Sequence, residues 1–171
     1  MMMLIQKLPQ PVIAKVHGIA TAAGCQLVAT CDLAVAEKST KFGVNGVNIG
    51  LFCSTPMVAI SRNLSNKHSM EMLLTGELIS SEKAASIGLI NEVSQDDKLK
   101  NFVLNKAIKI WKKSAVTLKI GKKAFYKQID MKLSDAYDYA SKTMVENMLK
   151  LDAKEGIDAF INKRKPKWQD K

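Results

Sequence analysis

Hydrophobic positions in the first half of the chain fall into short β-branched runs separated by small-residue turns and helical patterns, whereas the second half carries helical spacing alone. Residues 1–7 read as the end of a helix, closed by the Leu8-Pro9-Gln10-Pro11 run because proline cannot continue it. Residues 11–16 read as a strand. A turn of glycine and alanine follows, and residues 23–30 predict a helix. Short apolar runs at residues 33–36 and 41–43 predict two more strands, after which Gly43, Gly46 and Gly50 punctuate a loop without regular structure. Thr55 followed by Pro56 predicts an N-cap and a helix over residues 56–63. Ser65 or Asn66 caps a further helix that runs to Thr75, with Gly76 suited to the left-handed position beyond it. Ser80 caps a short helix that Gly88 ends.

From residue 96 onward glycine and proline thin out. Leu99, Phe102, Val103, Ala107 and Ile110 share one helical face, as do Leu133, Tyr137, Ala140, Met144, Met148 and Leu151. Both sets predict core faces, with Phe125 and Phe160 as packing residues and Ser134 and Asp152 as candidate N-caps. No internal repeat is visible. Strands mixed with helices first and helices alone afterwards define an α/β part over residues 1–94 and a helical part over residues 95–171.

Composition narrows the class. At 171 residues, 47% apolar and 25% charged, the chain is long enough for a domain with a real core. Cys25, Cys31 and Cys53 are odd in number and lack metal-ligand spacing, so they predict reduced thiols, an intracellular compartment and no metal site. No apolar run approaches the ~20 residues a membrane helix needs, and the opening residues lack the pattern of a signal peptide. The net charge of +10 is lopsided: seven Lys/Arg oppose six Asp/Glu in residues 1–94, and nineteen oppose ten in residues 95–171. A basic half fits an anionic partner such as the phosphates of a nucleotide, or simply a solvated surface. Aromatic residues make up only 6% of the chain, too few for a stacking platform that binds single-stranded nucleic acid.

Candidate chemistry gathers in residues 12–27, where a β-branched strand turns through Gly18, Ala20, Ala22, Ala23 and Gly24 into a helix. A helix that begins in small residues leaves its first N–H groups bare at the positive end of its dipole, where an anion or a developing oxyanion is stabilised. A turn lined with small residues is also an ordinary packing solution. Near it in sequence lie the titratable groups His17, Cys25, Asp32 and Cys53. His17 closing a strand and Asp32 bracing a turn have ordinary structural roles, and Cys53 has no identified base beside it. His68 falls on a helix beside Lys67 and is expected in solvent.

The wording of these segments resembles one family. KVHGIATAAGCQLVATCDLAVA (residues 15–36), KFGVNGVNIGL (41–51), MLLTGELISSEKAASIGLINEV (72–93) and EGIDAFINKRKP (155–166) occur in the order found in the enoyl-CoA hydratase/isomerase (crotonase) family. The resemblance covers essentially the whole chain. It implies a spiral of strand-strand-helix repeats, here its C-terminal portion only, followed by a helical trimerisation region. It also implies that several strands, a second oxyanion donor and much of the adenine pocket belong N-terminal to Met1, as in a fragment, an alternative start or half of a split protein.

The same resemblance supplies expected roles. The ligand is an acyl-CoA thioester, with no permanently bound cofactor, and one oxyanion N–H falls at Ala23. The two hydratase glutamates match Gln26 and Gly46, and neither residue can titrate, so two-glutamate hydration is not expected. Ala20, Ala22, Gly24, Phe52 and Cys53 match substrate-lining positions, and Lys163 matches one that reaches a coenzyme A phosphate. Expected partners are acyl-CoA and further copies in a trimer or dimer of trimers, in mitochondria for a eukaryotic chain and in the cytoplasm for a bacterial one. Three functions follow: acyl-CoA binding with isomerase or thioesterase chemistry, a non-catalytic regulatory subunit, or RNA binding through the basic half, the last of these not favoured.

Overall fold

The computed structural model describes residues 1–171. Its residues fall into two compact units, one of residues 1–5 and 12–106 and one of residues 6–11 and 107–171.

The first unit is built on six strands in two small sheets. The strands β1 (Ile13–Val16), β3 (Leu33–Glu37) and β6 (Glu92–Ser94) form one sheet in that order, parallel throughout. The strands β2 (Ile19–Thr21), β4 (Lys41–Gly43) and β5 (Ile79–Ser80) form the other, in which β2 and β4 are parallel and β5 runs antiparallel. The chain therefore lays one strand in each sheet, makes the helix α2 (Ala23–Thr30), and repeats the step one layer on. Ile13 pairs with Leu33, and Ile19 pairs with Lys41. This is the strand-strand-helix repeat of a crotonase spiral, present in the topology although absent as a sequence repeat. Successive turns are stitched together where Lys41 N–H donates to the Gly18 carbonyl at 2.9 Å and the Thr40 hydroxyl donates to the Val16 carbonyl at 3.4 Å.

Three further helices complete this unit: α3 (Ser54–Asn63), α4 (Asn66–Thr75) and α5 (Ser81–Ser86), with α1 (Met2–Lys7) at the start of the chain. The middle of β3, Ala34 to Ala36, is buried on both faces, which is why it reads as an unbroken apolar run. Around it Cys25, Val28, Phe42, Val44, Ile60 and Leu73 make the core. Side chains fix the edges. The Asp32 carboxylate accepts from Val12 N–H at 2.6 Å, and the Asn91 side-chain carbonyl accepts from Ala34 N–H at 2.7 Å. Ser65 caps α4 and Ser80 caps α5, each accepting from the N–H three residues on, and Gly76 takes φ 62°.

Sequence reading missed three short strands, taking Ile19–Thr21 of β2 for a turn of small residues and leaving β5 and β6 unread, and it also erred at two starts. Residues Asn45–Ile49 form a 3-10 helix rather than an irregular loop, closed by Gly50 at φ 77°. The helix α3 starts at Ser54 with Cys53 in the cap position, so Thr55 lies inside the first turn and does not cap it.

The helix α6 (Leu99–Trp111) runs from the first unit into the second, which continues with α7 (Ala115–Gln128), α8 (Leu133–Met148) and α9 (Leu151–Ile161). Leu99 is buried and Phe102, Val103, Ala107 and Ile110 are half-buried, as their spacing predicts. The α8 stripe is different. Tyr137 is 68% exposed, and Leu133, Ala140, Met144, Met148 and Leu151 are exposed with it, whereas Ala136, Tyr139 and Thr143 make the packed face. Phe125 and Phe160 are exposed too. The apolar stripe is real, but the chain itself does not cover it.

The candidate caps Ser134 and Asp152 also lie inside the first turn of their helices, whose cap positions are Lys132 and Lys150. Asp152 has a different task. Buried under the C-terminal tail, it accepts from the N–H groups of Gln169 at 2.7 Å and Asp170 at 3.1 Å. Burial acts to raise its pKa, but hydrogen bonds from the Ser114 hydroxyl and these two amides outweigh it and hold the carboxyl below its ordinary value. The Asp170 carboxylate in turn accepts from Ala115 N–H at the start of α7, and Trp168 Nε1–H donates to the Lys112 carbonyl at 2.8 Å. A Cβ on Gly156 would lie 3.3 Å from the Trp168 ring, so this glycine gives the tail room to lie down. Arg164 grips Glu155 with two N–H groups and Asp158 with one. No helix is long and apolar enough to cross a membrane.

Candidate functional site

The first turn of α2 is the centre of the site. Ala22, the residue before it, has φ 46° and ψ −115° and offers no side-chain cap. This backbone is unusual for a residue with a Cβ, and it is held because Ala22 N–H donates to the Gly43 carbonyl at 2.9 Å on β4. The first intrahelical bond runs from Gln26 N–H to the Ala22 carbonyl at 2.9 Å. The N–H groups of Ala23, Gly24 and Cys25 therefore have no carbonyl in the helix to reach. Ala23 and Gly24 are exposed, and a Cβ on Gly24 would meet nothing within 4 Å, so the space in front of this turn is open.

Gly43 ties the turn down from a second direction through a backbone hydrogen bond to the Cys25 sulfur. Burial pushes the Cys25 thiol up to about 12, with that hydrogen bond lowering it and the nearby Cys53 raising it. A fully buried thiol with so high a pKa is not a nucleophile. A Cβ on Gly43 would come within 2.7 Å of the Leu78 side chain and 3.2 Å of the Glu77 carbonyl. Sequence reading passed over Gly43 as loop punctuation. Its signal was a glycine closing a short strand, which marks a close backbone approach.

Gln26 lies one turn into α2 and is half-buried, its carbonyl accepting from the Thr30 hydroxyl at 2.7 Å. Ala20 is buried in the core on β2, where it pairs with Phe42 of β4. Gly46 sits inside the 3-10 helix. A Cβ there would lie 2.3 Å from the Leu51 carbonyl oxygen and 2.9 Å from Cys53 Sγ. The Gly46 carbonyl also accepts from Leu51 N–H at 3.0 Å, closing the loop on itself. Phe52 is exposed, and Cys53 is buried against the core behind it. Packing of α3 on α2 holds the loop and the turn together, with Asn63 Nδ2 donating to the Ala29 carbonyl at 2.9 Å.

The other sequence candidates fall elsewhere. His17 is exposed at the turn between β1 and β2, and Asp32 holds the entry to β1. His68, on α4, is 3.8 Å from Glu71. Lys163, in the second unit, is exposed just past the end of α9 with φ 51°.

The enoyl-CoA hydratase/isomerase family profile matches residues 1–171. The chain belongs to the enoyl-CoA hydratase/isomerase family. Among characterised sequences it is 50% identical to enoyl-CoA hydratase domain-containing protein 3 of Rattus norvegicus over 167 residues, which is 98% of this chain and 56% of that one. The corresponding Homo sapiens protein is 48% identical, with 55% of its length matched. Among solved structures, an enoyl-CoA hydratase of Mycobacterium smegmatis superposes with a TM-score of 0.96 at 50% identity, covering 98% of this chain and 65% of that one. Human enoyl-CoA hydratase domain-containing protein 3 gives 0.95 at 48% identity, with coverages of 98% and 66%. The chain thus spans a little over half the length of the curated relatives it matches, and its fold is the C-terminal part of the crotonase architecture.

Proposed function

We propose that this family member binds an acyl-CoA thioester at the N-terminus of α2, with the Ala23 N–H directed at the thioester carbonyl, in fatty-acid metabolism. The carrying observation is the Ala22 turn, which leaves the Ala23, Gly24 and Cys25 amides without helical acceptors and without a side-chain cap. Such amides are worth most where negative charge develops on a carbonyl oxygen. Gln26 donates or accepts a hydrogen bond beside the thioester but takes up no proton, and Gly46 has no side chain to do so. The reading is therefore of a binding protein without two-glutamate hydration. Any turnover rests on carbonyl polarisation, as in isomerisation or thioester hydrolysis. Ala22, Gly24, Phe52 and the backbone of Ala20 line the acyl side. The relatives named mitochondrial support a mitochondrial location in a eukaryote. The exposed apolar stripe of α8 supports assembly with further copies, as a homotrimer or a dimer of trimers.

Calorimetric titration of the chain with butyryl-CoA tests the reading. Saturable binding that Ala23→Pro abolishes, with circular dichroism unchanged, is expected, because proline removes the Ala23 N–H and is tolerated at the first helical position. Absence of binding to the wild-type chain at low ionic strength would remove it.

A further inference from the structure

The position that matches a hydratase glutamate is not merely empty. A side chain leaving Gly46 would run into the Leu51 carbonyl at 2.3 Å, and that carbonyl belongs to the main chain and cannot swing aside. The loop is pinned at both ends: Leu51 N–H binds the Gly46 carbonyl at 3.0 Å, and Gly50 N–H binds the Val47 carbonyl at 3.2 Å. Cys53 Sγ, 2.9 Å from the same point, is packed into the core and does not yield either. Where a carboxylate would hold water against a substrate, this chain puts a carbonyl oxygen, which has no proton to give, and a buried thiol.

We propose that the loop from Gly46 to Cys53 is the specificity element of the site and makes it a receptor for acyl thioesters selected by their carbonyl, blind to an α,β double bond. This inference rests on the thioester reading above. Recognition of an enoyl group by its polarity calls for a polar side chain or a water held by one at the position of Gly46. The Leu51 carbonyl and Cys53 leave no room for such a side chain. Gln26, alone among the two glutamate-matched positions in having a side chain, orients the thioester without transferring a proton. The loss of hydratase chemistry is thus built into the main chain, and two point substitutions do not reverse it.

Equilibrium binding of butyryl-CoA and crotonyl-CoA to the full chain is the first measurement, with Gly46→Ala, Gly46→Glu, Gln26→Glu and Gln26→Glu/Gly46→Glu as variants. The two ligands are expected to bind the wild-type chain within about threefold of one another, with crotonyl-CoA recovered unhydrated. Gly46→Ala is expected to lower Tm by about 5 °C or more, while Gly24→Ala, whose Cβ meets open space, does not lower it. Gln26→Glu is expected to keep the fold and remain inactive. A wild-type chain that binds neither ligand overturns the function proposed above, and this inference with it. The present inference alone is overturned in two ways: by a preference for crotonyl-CoA of about tenfold or more, or by a double variant that melts with the parent and hydrates crotonyl-CoA.

Discussion

Ala22 carries most of the tension in this protein. With φ 46° and ψ −115° it holds a conformation that glycine adopts freely and alanine does not, and such positions cost on the order of 1–3 kcal/mol. The structure tolerates it because the Gly43 carbonyl receives its N–H and the Gln26 amide binds its carbonyl. Ala22→Gly is therefore expected to stabilise the chain by about 1 kcal/mol in a urea titration, without changing the melting cooperativity. A loss of stability would mean that the methyl group, half-buried against the core, contributes more than the strain removes. The neighbouring substitutions have a similar logic. Sequence alone shows that Gln26 and Gly46 cannot titrate, but not that the Leu51 carbonyl stands over Gly46, because the two lie five residues apart in a turn whose closure depends on a 3-10 helix.

At the level of elements, the tail and α9 form a small electrostatic clasp. Glu155 accepts from Arg164 and from Lys167 N–H, and these partners draw its carboxyl down to about 2, while Arg164 is raised in return. A carboxylate whose folded pKa is depressed adds stability that is fully present above its ordinary value of 4.5 and is lost as pH falls through the folded value. Asp152 acts in the same direction. Thermal melts should accordingly hold steady from neutral pH to about 5 and fall progressively toward pH 2, and Glu155→Gln should flatten part of that fall. Glu155 is only half-buried whereas Asp152 is buried, so high salt should weaken the Glu155 contribution more than that of Asp152, whose partners include backbone amides. A melt insensitive to pH between 5 and 2 would show that the clasp is open in solution. The caps at this scale divide cleanly: Ser65 and Ser80 were legible because each is followed directly by helix, whereas Thr55, Ser134 and Asp152 were misplaced because each helix begins one residue earlier, at Ser54, Leu133 and Leu151.

Across the whole chain the informative feature is the face of α8. Leu133, Tyr137, Met144 and Met148 repeat at helical spacing yet stand exposed, and the half-buried side of the helix is Ala136, Tyr139, Thr143 and Asn147. Monomeric proteins rarely leave so continuous an apolar stripe in water. Sedimentation of the chain should show a concentration-dependent assembly, and the pair Tyr137→Glu and Met144→Glu should shift it toward the monomer while leaving helix content intact. A monomer at all concentrations would mean that the stripe is covered by something other than another copy.

Local chemistry determined much of this protein before any coordinates. Proline and glycine placed several helix ends, apolar runs placed β1, β3 and β4, and the residue types at positions 26 and 46 ruled out paired acid-base catalysis, because each of these properties belongs to a residue and its immediate neighbours. Tertiary structure decided what depends on two distant segments meeting. It revealed the repeat, which lives in the pairing of β1 with β3 and β2 with β4 and leaves no trace in side-chain identity. It made Gly43 the anchor of the α2 turn and turned the α8 stripe outward, since periodicity reports that a face is apolar and not which molecule covers it. It closed the backbone over Gly46, because steric exclusion between main-chain atoms is a property of the folded path.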